Sequence, residues 1–402
     1  MAARPPVIVV GAGPVGLVAA LGLARQGIPV IVLEAEDGLT HDLRAGTFHP
    51  PTLEMMAPLG LTDPLLAMGI RVPHWQMRDR RAGIVAQFDL GLLAHDTPYP
   101  FRLHCEQHKL TPVARDLLAL LPRTEIRFGC RLVDVAQNAD GVVATVETPD
   151  GPAEIAGSYL IGADGGRSAA RKALDITFEG FTWPERFLVV STRYDLAPHG
   201  FTENAYVADP DEWVALFKMP DTGPPGLWRL AIPTDTALPE EVVLSDDFVE
   251  ARMQGFLPRP ERYEIAYKSI YRVHQRVART FRAGRCLLAG DAAHVNNPLG
   301  AMGLNSGIHD AVNLSAKLGA LWRGERGDAA LDHYDRQRRL IAVDYVQAIT
   351  IRNKRLLEER DDAVRAARLD ELRRTAADPR LAHEFLLKSS MIASVHQADA
   401  IA

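Results

Sequence analysis

Gly11-x-Gly13-x-x-Gly16 stands between a β-branched run, Val7 to Val10, and a small-residue helical run ending near Gly27, and it constrains the chain more than any other feature. Each glycine has its own physical task. The first permits a tight turn out of a strand, the second lets a pyrophosphate approach the backbone, and the third lets a helix pack closely on the strand. The helix offers unpaired N–H groups and the positive end of its dipole. Gly11, Gly13, Pro14, Val15 and Gly16 are therefore expected to hold a dinucleotide pyrophosphate. Val30 to Leu33 is a second short apolar run, closed by Glu34, and completes a strand-helix-strand unit within about 30 residues. Glu34, with Ala35 beside it, is placed to meet ribose hydroxyls. This unit begins a parallel sheet, and by itself does not separate nicotinamide from flavin dinucleotides.

Pro5 to Ala24 carries no charge and could pass for a signal segment or a membrane span. Its glycines and Pro14 break it into strand, turn and helix instead, and no later run approaches a span, so no stable membrane anchor is expected. At 402 residues the chain exceeds what one core usually serves. A formal charge of −6 gives no footprint for nucleic acid. Cys105, Cys130 and Cys286 are too few and too scattered for a disulfide framework, which favours a cytoplasmic protein. A helix opened by Thr111 as N-cap is expected over Thr111 to Leu121, a hairpin around Asp140-Gly141, and further strands at Ser158 to Ile161 and Arg285 to Ala289. From Phe181 to about Lys268 the texture turns proline-rich and β-rich, which reads as a second, sheet-rich domain. Ala329 to about Ala377 reads as charged helix.

Two later stretches make the pattern specific. Tyr159-Leu160-Ile161-Gly162-Ala163-Asp164-Gly165-Gly166-Arg167-Ser168 and Cys286-Leu287-Leu288-Ala289-Gly290-Asp291-Ala292-Ala293-His294 each follow a strand. With the first glycine motif they resemble the three signature stretches of the class A flavin-dependent aromatic monooxygenases, which have the para-hydroxybenzoate hydroxylase fold; the resemblance runs from Val7 to about Arg339. It implies an α/β architecture: a Rossmann-like FAD-binding domain over 1–75, 100–180 and 270–340, an inserted β-sheet substrate domain over 76–99 and 181–269, and C-terminal helices over 341–402. It also implies that Asp291 meets the ribityl chain of FAD and that Asp164 and Gly165 lie near the pyrophosphate.

Pro298-Leu299-Gly300-Ala301-Met302-Gly303-Leu304-Asn305 then opens a helix whose N–H groups would stabilise negative charge on a reduced flavin, so Pro298, Gly300, Gly303, Leu304 and Asn305 join the cofactor set. The family commonly has a second glycine where this chain has Ala301. Arg44 and Ala45 resemble the family's segment beside the flavin, Gln107 matches a glutamine near the phosphoribityl region, and Leu132 is included with them.

The resemblance implies reduction of FAD by NAD(P)H, addition of O2 to give a flavin C4a-hydroperoxide, and hydroxylation of a small phenolic or (hetero)aromatic acid, as in the catabolism of aromatic compounds. His49, His294 and Pro298 are the catalytic candidates, the two histidines because a side chain titrating near neutrality can take a phenolic proton. Arg193, Tyr206, Phe217 and Trp228 are the substrate candidates. No histidine shows metal-ligand spacing, so no metal is expected. With one dinucleotide motif only, NAD(P)H is expected to visit a surface groove, and the choice of NADH or NADPH and of monomer or homodimer stays open. A flavin epoxidase or oxidase, a halogenase (on a faint match at Trp228 to Pro233) and a non-catalytic flavin sensor are the rival readings.

Overall fold

The computed structural model describes residues 4–41, 45–223 and 226–402. Its first layer is a six-stranded sheet. Cys286–Leu288, Tyr159–Gly162, Val7–Val10, Val30–Leu33 and Thr124–Arg127 run parallel in that order, with Arg282–Ala283 antiparallel at one edge. The central strand aligns Val7 with Tyr159 on one side and Val30 on the other, and all four of its residues are buried. Apolar side chains on both faces suit a parallel strand covered on both sides.

The helix Pro14–Ala24 is buried at every residue from Gly16 to Ala24. That explains its uncharged, membrane-like sequence: it is an internal helix, held between the sheet and the long helix Met302–Trp322. Two glycines permit the close approach, since a Cβ at Gly22 would lie 2.6 Å from Ser315 Oγ and one at Gly319 would lie 1.8 Å from Gln26 Oε1. Arg131–Gln137, Val142–Thr148 and Gly151–Gly157 form an antiparallel meander whose first turn is the expected hairpin.

The second layer is an eight-stranded mixed sheet, ordered His294–Val295, Ile265–Ala278, Phe178–Thr192, Leu227–Asp235, Val214–Met219, Asn204–Ala208, His74–Asp79 and Gly83–Asp89. The parallel pairing of Asn204–Ala208 with His74–Asp79 carries the early hairpin into it. Its long strands begin before residue 181 and continue past 269, so the sheet itself is the bridge to the first layer. Alternation decides the two faces. Tyr206 and Ala208 point to one apolar cluster, while Ala205 and Val207 point to the other. Helix Asp246–Phe256 covers the second face through Val249 and Met253, and the C-terminal helices cover the first through Leu369, Ala382, Leu386 and Ile392.

Two helical expectations are corrected. The helix expected to start at Thr111 spans Leu110–Ala119, after a 3₁₀ turn over Gln107–Lys109, and the Thr111 hydroxyl donates to His108 O instead of capping. The charged stretch is not one rod. It runs as Ala329–Leu340, a π-helical stretch Ile341–Gln347 and Ala348–Leu357, then breaks and restarts at Asp362–Ala377, where Asp361 accepts from the N–H groups of Ala363 and Val364. No helix among the described residues is long and apolar enough to cross a membrane.

Candidate cofactor and substrate site

The glycine motif has the geometry its spacing demands. Gly11 has φ +102°, and a Cβ there would lie 2.5 Å from Ala163 O; a Cβ at Gly16 would lie 1.9 Å from Gly11 O. Gly13 differs, because a Cβ would meet nothing within 4 Å and the helix it opens has no side-chain cap. Open space thus faces first-turn N–H groups that have no intrahelical acceptor, which suits a pyrophosphate. The side chain of Val15 is the seam between motifs, lying 2.8 Å from where a Cβ would stand at Gly290 and 2.7 Å from one at Gly307. Glu34 is already partly engaged: Oε2 accepts from Ala12 N at 2.7 Å and Oε1 from Glu36 N at 3.0 Å. Its remaining lone pairs are what a ribose could use.

Asp164 has a local task, with Oδ1 accepting from Ser168 Oγ and Oδ2 from Ala170 N, so it helps cap the helix Ala169–Ala173. Gly165 beside it has φ +77° and no atom within 4 Å of a Cβ. Gln107 N donates to Ala45 O at 3.0 Å, which ties those two expected positions together. Leu132 is 4% exposed and packed in the core of the first layer, and Ala35 is half-buried. Arg44 lies outside the described residues.

Asp291 stands exposed on the 3₁₀ turn Gly290–Ala292. The loop after half-buried Pro298 turns at Gly300, φ +116°, and Ala301, φ +55°. Ala301 therefore adopts the left-handed conformation without being glycine, at a cost of about 1 kcal/mol. Asn305, at the start of helix Met302–Trp322, donates to Ala301 O and Thr47 O and accepts from His49 N at 2.8 Å. This helix also lacks a side-chain cap, and Gly303 and Leu304 in its first turn are half-buried.

His49 is fully buried and its Nε2 lies 2.8 Å from Gly300 O. A carbonyl only accepts, so Nε2 carries the proton and Nδ1, which has no partner, is a bare acceptor. Burial, with Arg102 nearby, pushes its pKa well below the ordinary value, so the ring is neutral. His294 is placed otherwise than a substrate-facing base requires. It is 1% exposed and bonded through Nε2 to Asp310, whose other oxygen takes Arg338 Nε at 2.6 Å. It belongs to a buried ionic network.

Between the large sheet and the C-terminal helices lies a small pocket, partly open to solvent. Trp75 and Tyr206 from the large sheet, Arg102 from the short strand Arg102–His104, and Gly300 and Met302 from the loop and helix start form part of its wall. The C-terminal helices supply the rest through Ile349, Arg352, Asn353, Phe385 and Ser389. Tyr206 Oη accepts from Gly300 N at 2.7 Å, so the two peptides flanking the Gly300 Cα are held, one by Tyr206 and the other by His49. Of the other substrate candidates, Phe217 is half-buried and packs edge-on to Tyr206 and His104. Arg193 is exposed and paired with Asp221 and Glu264. Trp228 is fully buried on the opposite face of the sheet, its Nε1 donating to Asp195. None of these three lines the cavity. Among the described residues no three His, Cys, Asp or Glu side chains are grouped to hold a metal.

The family model described as an FAD binding domain matches residues 4–349. The chain is 34% identical over 384 residues to the para-nitrophenol 4-monooxygenase of a Pseudomonas species, covering 95% of this chain and 94% of that one. It is 36% identical to the 6-hydroxy-3-succinoylpyridine 3-monooxygenase HspB of Pseudomonas putida, over 86% and 87% of the two chains. The crystal structure of p-nitrophenol 4-monooxygenase PnpA from Pseudomonas putida superposes with a TM-score of 0.91 at 32% identity, covering 99% of both chains. The chain belongs to the class A flavin-dependent aromatic monooxygenases. It is an FAD-dependent aromatic hydroxylase with the Rossmann-like α/β fold of that family. Sequence reasoning on this hydroxylase missed Arg102, Trp75 and the whole C-terminal wall. Arg102 lies in the short strand Arg102–His104, buried at all three residues, but the sequence Arg-Leu-His carries no local sign of that burial.

Proposed function

We propose that this hydroxylase inserts one oxygen atom of O2 into a small phenolic or heteroaromatic acid held in the cavity, with NAD(P)H as reductant. The observation that carries the reading is the cavity's position. The same Gly300–Met302 segment that opens the uncapped helix also lines a pocket walled by Trp75, Tyr206 and Phe385. Gly13, Val15, Gly16, Glu34, Asp164, Gly165 and Asp291 would hold the dinucleotide end of FAD, and Gly300, Gly303, Leu304 and Asn305 its ring end. FAD bound there would supply oxygen activation and transfer.

The protein's own residues then orient and exclude. Aromatic walls position the ring, the C-terminal helices keep water out, and His49 and Tyr206 fix the loop at Gly300. His49 is better suited to positioning than to taking a proton, because burial makes it a weak base. The reading agrees with relatives named for nitrophenol and hydroxypyridine substrates. The test is to load the protein with FAD and follow NADH and NADPH oxidation with a panel of phenols, hydroxybenzoates and hydroxypyridines, quantifying hydroxylated product and hydrogen peroxide. Oxidation stimulated by one ring and matched by its product is expected. Stimulation that yields only peroxide would favour an oxidase, and no stimulation by any ring would favour a flavin-binding sensor.

A further inference from the structure

Arg102 is 3% exposed in the cavity wall, and no carboxylate pairs with it among the described residues. Among the other buried arginines, Arg338 pairs with Asp310, Arg365 with Asp79 and Arg186 with Glu240, while Arg171 bonds the carbonyls of Ala292 and Gly166 with the charge of Asp164 nearby. Arg102 has only neutral partners. Nη1 donates to Asn204 Oδ1 at 2.5 Å and Nη2 to Ser389 O at 3.3 Å, while the Nε proton is buried without an acceptor. Burial lowers its pKa to about 10, so it stays charged at neutral pH.

The surrounding wall repeats the theme. Tyr206 accepts from Gly300 N, which leaves its own proton free to be donated. Ser389 Oγ is buried with no partner, and exposed Arg352 adds a second cation to the lining, which holds no Asp or Glu. A desolvated cation among spare donors and no acids is an incomplete site whose missing member is an anion.

We infer that Arg102, with Tyr206 and Ser389, forms a subsite for an oxyanionic substituent of the aromatic substrate, a carboxylate being the group whose paired oxygens match a guanidinium fork. The inference rests on reading the cavity as the substrate site and deepens it: the anion is read by the short strand and the C-terminal helices, not by Arg193. Because the cation is unpaired, Arg102 should weaken the empty fold rather than support it.

The experiment measures thermal midpoints of the FAD-loaded protein and its Arg102→Met variant, alone and with millimolar benzoate or the neutral isostere benzamide. Benzoate should raise the midpoint of the unaltered protein, benzamide should do so far less, and the variant should respond to neither while melting no lower than the parent. Equal responses to benzoate and benzamide, no response to benzoate, an undiminished benzoate response in the variant, or a lowered midpoint of the empty variant would each overturn the subsite. Should Arg102→Met fail to fold, Arg102→Lys keeps the charge without the fork, and a weakened benzoate response is expected of it; a full response would count against the fork. Failure of hydroxylation looks different: Arg102-dependent benzoate binding in a protein that makes no product retains the subsite and sinks the reaction. Product formed as well by Arg102→Met as by the parent retains the reaction and sinks the subsite.

Discussion

Three buried rings, His49, His104 and His309, show what the environment does to a side chain that sequence alone marks as a base. None is exposed by more than 2%, and burial is the first cause of a lowered pKa in each, with Arg102 adding to it at His49 and His104 and Arg338 at His309. His104 is held at about 4 and His309 at about 3. For a base lowered in the folded state, the unfolded chain binds more protons below the ordinary value of 6.5, so stability is complete above that pH and is lost as pH falls towards the folded value. Each ring should cost about 1.4 kcal/mol per pH unit in that window. Asp310 does not confuse the window: burial opposes its charge, but Arg338 and His294 outweigh burial, so its contribution is lost only below the ordinary carboxylate range. The urea midpoint should therefore drop steeply between pH 7 and pH 5. His104→Asn, whose amide can replace the Nδ1–H bond to Lys218 O, should make the drop shallower. A midpoint that stays level from pH 7 to pH 5 would contradict the assignment of neutral buried rings.

At the scale of elements, the first strand-turn-helix was legible because its causes are local. Strand, turn and helix lie within a short span, and Gly11 and Gly16 answer to each other or to Ala163. The structure nonetheless separates glycines that look alike in the motif. Gly16 has no room for a Cβ, whereas Gly13 has ordinary φ and open space. Gly16→Ala should therefore destabilise the fold by roughly 1–3 kcal/mol through overpacking. Gly13→Ala should leave the apo midpoint nearly unchanged yet weaken FAD binding by about tenfold or more, a loss of about 1.4 kcal/mol. Chemical denaturation of the two apo variants and flavin fluorescence titration check both halves. Equal FAD affinity in Gly13→Ala and its parent would remove the pyrophosphate from this turn. Strand faces were less legible. Tyr206 and Trp228 both sit in apolar strands of one sheet, but alternation says only that neighbours oppose each other, not which face borders the cavity. Of the expected substrate residues, Trp228 is turned into the opposite core, and Arg193, just past the end of the strand Phe178–Thr192, lies at the surface.

For the whole molecule, the cavity exists only because three distant parts of the chain meet. Arg102 touches Asn204 and Ser389 across separations of 102 and 287 residues, which no local pattern encodes. The charged C-terminal stretch could be read as helical, yet which sheet it would cover could not, and its role as a wall went unread. That wall has a functional consequence. Phe385 stacks on Phe88 with ring centroids 4.3 Å apart, lies 5.4 Å from Trp75 and forms part of the cavity wall. An aromatic pair of this kind adds about 0.5–1.5 kcal/mol beyond its buried area, so Phe385→Ala should weaken the fold without abolishing it. Its larger effect should be on coupling, since water admitted to the cavity would favour loss of the activated oxygen as hydrogen peroxide before it reaches the ring. With a hydroxylatable substrate, Phe385→Ala should keep consuming NAD(P)H while product falls severalfold and hydrogen peroxide rises to match. Phe385→Leu, which restores apolar bulk, should lie between the variant and the parent. If Phe385→Ala retains the parent's ratio of product to NAD(P)H, the C-terminal helices do not seal the site, and the exclusion of water must be sought in the sheets alone.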